Sequence, residues 1–278
     1  MGLGLLGRGI GVIKFLAECG AELIVTDLKT AIELGPSLQK LSKLKKLYGA
    51  IKFTLGEHRL ADFRGRDFII RAPNAPLDSI YLAEARKNSI PVEMDASLFA
   101  KIAWQELGRD NLTIVGVTGT RGKSTVTHLL YEILKQLNPR TFLAGNVRGT
   151  ATLPLLKKIR KGDTIVMELD SWQLQGFGEA KISPNLSIFT TFLPDHLNYY
   201  ASTSLSTSME RYFTDKANIY KYQKPGDVLI MGKQINGEGI SEKDWPKSWK
   251  LKMIGTHNRY NVALALAAAR ALKVPDYV

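Results

Sequence analysis

The chain has 278 residues, 45% of them hydrophobic, which is enough for about two domains with a core each. Its one cysteine, Cys19, excludes a disulfide framework and every cysteine-rich zinc pattern, and it favours the cytoplasm. The net charge of +12 comes largely from lysine clusters such as "KLSKLKKL" (40–47), whose apolar spacing indicates solvated helix faces. We therefore expect no nucleic-acid partner.

The amino terminus, "MGLGLLGRG", carries Gly2, Gly4 and Gly7 in the pattern G-x-G-x-x-G. Asp27 follows about twenty residues later, which by itself suggests a dinucleotide-binding fold. No strand precedes these glycines, since the chain starts at Met1, so the context that would confirm the motif is missing. The stretch also has no small-residue cleavage site, so we expect no export.

Short β-branched runs alternate with helical patterns along the chain. The runs are "ELIVTD" (22–27), "DFIIRA" (67–72), "LTIVGV" (112–117), "DTIVMEL" (163–169), "LSIFTT" (186–191) and "DVLIM" (227–231). This alternation predicts an α/β fold with mostly parallel sheets. A polar break at 107–111 divides the chain into a Rossmann-like domain, 1–108, and a P-loop NTPase-like central domain, 109–278.

The stretch "GVTGTRGKST" (116–125) has the form of a phosphate loop and contains the required Lys-Ser pair, Lys123 and Ser124. A buried-strand run precedes it. After Lys123 the apolar positions Val126, Leu129, Leu130, Ile133, Leu134 and Leu137 lie on one helical face. Glycines let backbone N–H groups surround phosphates, and the helix N-terminus adds its positive end. We therefore predict that this loop binds ATP or GTP.

A carboxylate at the end of a neighbouring buried strand usually completes such a site by holding magnesium. In "TIVMELDSWQL" the apolar run ends at Glu168, with Asp170 close behind. Glu168 is the better candidate, although a solvated acid at a strand end is an alternative. The longest apolar run near the carboxyl end, "VALALAAARAL", is about half of the length that crosses a bilayer, so we expect no membrane span.

Six motifs occur together in one order: "GVTGTRGKST", "AGNVRG" (144–149), "ELDSWQL" (168–174), "LPDHLNYY" (193–200), "DKANIY" (215–220) and "GTHNRYN" (255–261). In this set the chain resembles the Mur ligase family. The "ELxSxQL" form and the amino-terminal stretch resemble the members that add D-glutamate. The resemblance implies an ATP-dependent ligase that joins D-glutamate to UDP-N-acetylmuramoyl-L-alanine through an acyl phosphate. Another amino acid, or a non-catalytic nucleotide-binding module, remains an alternative.

The resemblance also implies roles for individual residues. The ATP phosphates would lie on the loop residues Gly119, Thr120, Gly122, Lys123, Ser124 and Thr125. Asn258 and Asn261 would lie on the adenine side, and Asn146 would position the nucleotide-sugar substrate. The magnesium ligands would be Ser124, Glu168, His196 and Lys216, with Lys216 carbamylated. The catalytic residues would be Lys123, Glu168, His196 and Lys216. His196 would also contact substrate.

In the resembled ligases the first domain binds the UDP portion of the substrate rather than NAD. Gly4 and Gly7 would then face the diphosphate, and Asp27 would lie near the uracil. Three departures from the family pattern stand out. Relatives normally have a strand ahead of the glycine turn and a further domain after "GTHNRYNVALALAAARAL", and Asn198 replaces an acid usual in the metal loop. We expect a monomer, and a chain that is a fragment of a longer ligase.

Overall fold

A computed structural model describes residues 1–48, 51–76, 78–147, 150–200, 205–246 and 248–275, with side chains left undescribed at 43–48. The strands are β1 (Leu23–Asp27), β2 (Ile51–Leu55), β3 (Ile69–Ile70), β4 (Val92–Glu93), β5 (Thr113–Thr118), β6 (Thr141–Gly145), β7 (Thr164–Glu168), β8 (Leu186–Phe189) and β9 (Val228–Met231). The helices are α1 (Arg8–Glu18), α2 (Gly35–Tyr48), α3 (Ile80–Lys87), α4 (Asp95–Leu107), α5 (Lys123–Leu137), α6 (Ser171–Glu179), α7 (Leu205–Ala217), α8 (Lys233–Asn236) and α9 (Thr256–Ala271).

The chain divides into two compact units. The first contains Met1–Phe99 and Arg148–Lys158, and the second contains Ala100–Val147 and Ile159–Val278. The division at residue 99 falls inside α4, because the helix continues past the point at which the chain enters the second unit. The boundary expected at residue 108 stays a prediction.

The second unit is built on a five-stranded sheet in the order β6-β7-β5-β8-β9, and all of its pairings are parallel. The predicted α/β class with a mostly parallel, P-loop-like central sheet is therefore confirmed. β5 lies in the middle, with Val117 opposite Glu168 of β7 and Thr118 opposite Phe189 of β8. Because parallel strands share one carboxyl edge, the segments after β5, β7 and β8 emerge side by side, where such sheets bind ligands.

The core of the second unit forms where α5 and α9 pack on the sheet. On α5, Val126, Leu130 and Leu134 are buried, as the helical spacing predicts. Leu137 was expected on the same face but is 47% exposed, because it is the last residue of the helix. The buried face fixes the direction of α5 and so the position of the loop before it.

The predicted strand runs correspond to β1, β3, β5, β7, β8 and β9. The sequence did not predict β2, β4 and β6. β4 has two residues, and β6 is an edge strand that ends on a glycine, so neither carries a long buried run. β2 mixes exposed and buried residues and pairs in parallel with β1. Residues 201–204 lie outside the described residues, and α7 begins at Leu205.

The first unit contains two parallel strand pairs, β1 with β2 and β3 with β4. The described residues 1–7 contain no strand before the glycine turn. Their backbone nevertheless contacts both pairs: Gly2 N–H donates to the Thr26 carbonyl at 2.8 Å, and the Met1 amine donates to the Ile70 carbonyl at 2.9 Å. In the described ranges, no helix combines the length and the apolar character that crossing a membrane requires.

Candidate functional site: a phosphate loop at the carboxyl edge of the sheet

The loop between β5 and α5 has a backbone that only glycine adopts easily. Gly119 has φ +141° and Gly122 has φ +86°, both outside the range that other residues favour. A Cβ on Gly119 would lie 2.0 Å from the Thr190 hydroxyl oxygen. The glycine that opens the general motif, five positions before Gly122, is here Val117 within β5. Gly119 therefore supplies the open turn in its place.

The segment after β8 holds this loop in place from the side. Thr120 N–H donates to the Thr191 carbonyl at 2.7 Å, and Leu193 N–H donates to the Thr120 hydroxyl at 3.0 Å. Arg121 N–H donates to the Thr191 hydroxyl at 2.9 Å, while the Thr190 hydroxyl donates to the Arg121 carbonyl at 2.6 Å. The loop thus has a defined shape before any ligand arrives, which lowers the cost of binding.

Lys123, Ser124 and Thr125 form the first turn of α5. Lys123 Nζ turns back and donates to the Thr120 carbonyl at 3.2 Å, while Ser124 is exposed at the helix start. A helix N-terminus presents N–H groups and the positive end of its dipole, and both favour anions. The loop, the ammonium and the exposed hydroxyl together fit a polyphosphate.

Glu168 ends β7 next to the phosphate loop, and its side chain is buried. The neighbouring Asn146 is close: its Nδ2 donates to Glu168 Oε1 at 3.3 Å, and its backbone N–H donates to the Glu168 carbonyl at 2.6 Å. A Cβ on Gly145 would lie 2.1 Å from that same carbonyl oxygen, so the glycine permits the close approach. The structure brings together two predicted site residues here.

Lys216 lies on α7 and is 1% exposed. Its Nζ donates to the Gly119 carbonyl at 2.9 Å and lies 4.7 Å from the centre of the Tyr212 ring. Burial, followed by the positive charge of Lys123, lowers the pKa of Lys216 to about 7, although Asp170, Asp195 and Asp215 oppose the shift. A substantial fraction of this amine is therefore neutral near pH 7.

His196 lies in the segment after β8 with φ +53°, and its side chain is 45% exposed. Its ring centre is 4.8 Å from that of Trp172, and its backbone N–H donates to Asp195 Oδ1 at 2.9 Å. Asn198, the residue that departs from the family pattern, is exposed. The aromatic contact and the aspartate orient His196 while its imidazole stays accessible.

The two asparagines at the start of α9 lie in different environments. Asn261 is 6% exposed and touches the phosphate loop, since a Cβ on Gly122 would lie 2.4 Å from its Oδ1. Asn258 is half-buried and donates from Nδ2 to the Ile254 carbonyl at 2.8 Å. Tyr260 lies between them in sequence, and its hydroxyl donates to the Thr190 carbonyl. α9 therefore supports the loop and the segment after β8.

Over the described ranges, no group of three or more histidine, cysteine, aspartate or glutamate side chains is arranged to hold a metal. A preformed protein cage for magnesium is therefore not present there. Magnesium normally binds one or two carboxylates and takes its other ligands from substrate phosphates and water. The buried carboxylate of Glu168 and the exposed hydroxyl of Ser124 fit an ion that arrives with the nucleotide.

In the first unit, Asp27 organises the glycine turn. Its Oδ2 accepts from the Gly4 N–H at 2.9 Å and its Oδ1 accepts from the Lys29 N–H at 2.9 Å. Gly4 and Gly7 have φ +66° and +90°, and α1 begins directly after Gly7. Ser37 Oγ donates to the Gly4 carbonyl at 2.9 Å. Two of the predicted substrate residues, Gly4 and Gly7, therefore lie in the turn before α1, and Asp27 at the end of β1 is hydrogen-bonded to that turn.

Sequence reasoning missed several residues that shape the site: Thr190, Thr191, Tyr212 and Asp195. One signal was available for two of them. The predicted run "LSIFTT" ends on Thr190 and Thr191, and polar side chains after a strand adjacent to β5 fall at the same edge as the phosphate loop. Tyr212 had no such signal, because its contact with the Thr120 hydroxyl joins distant parts of the chain.

A glycine loop between a central parallel strand and a helix, flanked by a buried carboxylate, defines a P-loop-like α/β domain. Residues 117–239 match the family model described as the Mur ligase middle domain. The chain belongs to the Mur ligase family, as the resemblance predicted.

The curated relatives agree with this assignment. The UDP-N-acetylmuramoylalanine–D-glutamate ligase of Roseiflexus sp. (strain RS-1) is 40% identical to this chain. The match covers 83% of this chain and 46% of the relative. The ligase of the same name from Borreliella afzelii is 36% identical over 84% and 47%. The one from Treponema pallidum is 34% identical over 83% and 42%. The chain spans about half the length of the curated relatives it matches.

Two solved structures share the fold at low identity. The UDP-N-acetylmuramate:L-alanyl-gamma-D-glutamyl-meso-diaminopimelate ligase of Neisseria meningitides superposes with a TM-score of 0.60 at 16% identity, over 98% of this chain and 92% of the other. MurF from Acinetobacter baumannii gives a TM-score of 0.51 at 16% identity, over 92% and 60%. Both comparisons support the fold.

Proposed function

We propose that the protein acts as an ATP-dependent amide-forming ligase in peptidoglycan precursor synthesis, adding D-glutamate to UDP-N-acetylmuramoyl-L-alanine. The observation that carries the proposal is the buried Lys216 amine on the Gly119 carbonyl of the phosphate loop. The contacts of this amine are a neutral carbonyl and the face of the Tyr212 ring, and a neutral amine beside bound phosphates can be modified to a carbamate. The names of the curated relatives favour this substrate pair.

In the proposed reaction the terminal phosphoryl group of ATP passes to the carboxylate of UDP-N-acetylmuramoyl-L-alanine and gives an acyl phosphate. The amine of D-glutamate then attacks the acyl carbon, and phosphate leaves through a tetrahedral intermediate. Lys123 and the loop N–H groups stabilise negative charge on the moving phosphoryl group. Asn146, held against Glu168, would position the substrate near that group.

Bound magnesium would neutralise charge on the phosphates, and Ser124, Glu168, His196 and modified Lys216 are the residues proposed to hold it. Lys216 becomes suitable only after modification, because an ammonium repels a cation. The neutral Nζ attacks carbon dioxide, an N–C bond forms, one proton leaves, and a carbamate anion results. The lowered pKa of Lys216 favours this step, since the neutral amine is the nucleophile.

The first unit would bind the UDP portion of the substrate at the turn of Gly4 and Gly7, with Asp27 near the uracil. On the adenine side of ATP we propose Asn258 and Asn261 of α9. A cytoplasmic location and a monomeric state stay predictions. A ligase for another amino acid, or a nucleotide-binding module without catalysis, is the alternative.

Positional isotope exchange tests the proposal without requiring the second half of the reaction. ATP labelled with ¹⁸O in the β,γ bridge is incubated with the protein, magnesium and UDP-N-acetylmuramoyl-L-alanine. Reversible formation of an acyl phosphate moves the label to a non-bridging β position, and Lys123→Ala should abolish both ATP binding and exchange. ATP binding without exchange would favour a non-catalytic module, and mass spectrometry of products formed with different amino acids identifies the acceptor.

A further inference from the structure

Arg121 is held by its backbone in the middle of the phosphate loop. Its N–H donates to the Thr191 hydroxyl at 2.9 Å, and its carbonyl accepts from the hydroxyls of Thr190 at 2.6 Å and Thr191 at 3.2 Å. The glycines Gly119 and Gly122 flank it on either side. Both backbone groups are therefore fixed, whereas the residue itself is exposed.

The Arg121 guanidinium has no hydrogen bond or ion pair with a side chain in the ranges that the structure describes. Its charge nevertheless acts on the phenol of Tyr212. Burial raises the pKa of Tyr212 to about 12, and the charge of Arg121 is among the effects that oppose the rise. Tyr212 contacts the same loop, since its hydroxyl lies 3.4 Å from the hydroxyl of Thr120, the residue before Arg121.

Two lysine side chains contact the short loop to which Arg121 belongs. The ammonium groups of Lys123 and Lys216 are each bonded to a loop carbonyl, of Thr120 and Gly119 respectively. Arg121 adds a positive charge and, unlike the lysines, a planar fork of donors that matches phosphate oxygens. A phosphate at the loop could therefore accept hydrogen bonds from this fork.

We propose that Arg121 donates hydrogen bonds to the oxygens of the terminal phosphoryl group of the bound nucleoside triphosphate. This inference rests on the proposed ATP-binding function. The guanidinium would stabilise the charge on the group being transferred, as an arginine supplied within the same chain does in other phosphoryl-transfer sites. A nucleoside diphosphate lacks the terminal phosphoryl group, so the loss of this contact should weaken the binding of the triphosphate more than that of the diphosphate.

Isothermal titration of wild type, Arg121→Gln, Arg121→Lys and Arg211→Gln with Mg-ATP and with Mg-ADP tests the contact. Arg211 is an exposed arginine on α7 and does not belong to the loop sequence, so its replacement gives the same loss of charge. Loss of a charged hydrogen bond predicts that Arg121→Gln weakens ATP binding by about 10-fold or more and ADP binding by less than about 3-fold. The ATP affinity of Arg121→Lys should lie between those of wild type and Arg121→Gln. Arg211→Gln should bind both nucleotides as wild type does.

The result separates this inference from the proposed function. Equal losses for ATP and ADP, or unchanged ATP affinity in Arg121→Gln, would overturn the role of Arg121 and leave nucleotide binding intact. Wild-type protein that binds neither nucleotide would overturn the proposed function itself. Thermal unfolding of each variant identifies a folding defect, and Arg121→Lys keeps the charge if the glutamine variant is unstable.

Discussion

Lys216 Nζ donates a hydrogen bond of 2.9 Å to the carbonyl of Gly119, which lies 97 positions earlier in the chain. The bond connects α7 to the phosphate loop and places an amine, rather than a carboxylate, beneath the expected position of the phosphates. A fully charged lysine would be costly in this buried place. Because of this contact, we expect protonation or modification of Lys216 to affect the backbone of the phosphate loop at Gly119.

Replacing Lys216 with methionine should change how stability depends on pH. The pKa of Lys216 is about 7 in the folded protein against 10.5 for an ordinary lysine. Between these values the unfolded chain binds more protons, so the penalty for burying Lys216 is full below pH 7 and disappears as the pH rises towards 10.5. Relative to Lys216→Met, the free energy of unfolding of wild type should rise by up to about 1.4 kcal/mol for each unit by which the pH increases in this range.

Urea unfolding at pH 7, 8 and 9 measures this difference. The control is Lys221, an exposed lysine five residues after Lys216. Lys221→Met should keep the wild-type dependence of the free energy of unfolding on pH. If the free energy of unfolding changes with pH in the same way for wild type and Lys216→Met, the lysine does not titrate in this range.

Carbamylation of Lys216 should be visible directly. In ¹³C-bicarbonate and Mg-ATP, the protein is expected to give a carbamate carbon resonance that is absent from Lys216→Met. The physical reason is the lowered pKa, which leaves neutral amine available when exposed lysines are protonated. ¹³C NMR at pH 8 makes the measurement. A resonance that persists in the methionine variant belongs to another amine, and no resonance in wild type contradicts the modification.

Gly122→Ala should damage the loop more than Gly162→Ala does. Both glycines have positive φ, +86° and +88°, so both alanine variants bear a similar backbone strain of about 1 kcal/mol. Only at Gly122 would the new Cβ meet another group, Asn261 Oδ1 at 2.4 Å, while Gly162 faces open space. Thermal unfolding and Mg-ATP titration of both variants measure the difference. Equal effects of the two substitutions would indicate that Asn261 does not support the loop.

The turn around Asp27 should respond to UDP and not to NAD. Asp27 accepts hydrogen bonds from Gly4 and Lys29, so a ligand at this turn should shift the amide signals of these residues. Titration of ¹⁵N-labelled protein with UDP and, separately, with NAD followed by NMR compares the ligands. Asp27→Asn, which retains an acceptor but removes the charge, tests whether the carboxylate matters. Tight NAD binding with no response to UDP would reverse the assignment.

Local sequence predicted the parts of the fold that depend on neighbouring residues. The order of strand, glycine loop and helix at 113–137 was predicted because apolar periodicity and glycine conformation act over a few residues. β2 and β6 were missed because each is a short run whose stability comes from its partner in the sheet. The family followed from the motifs, since six separate stretches in one order seldom occur by chance.

The sequence alone determined that the chain is an α/β protein of the Mur ligase family with a phosphate loop at Gly119–Ser124. Only the tertiary structure decided which distant groups surround that loop. Thr190 and Thr191 fix it, Asn261 packs on Gly122, and Lys216 reaches the Gly119 carbonyl. These contacts depend on the order of β5, β7 and β8 in the sheet and on the packing of α7 and α9. Burial and the neighbouring charge, which lower the pKa of Lys216, arise only when those elements assemble.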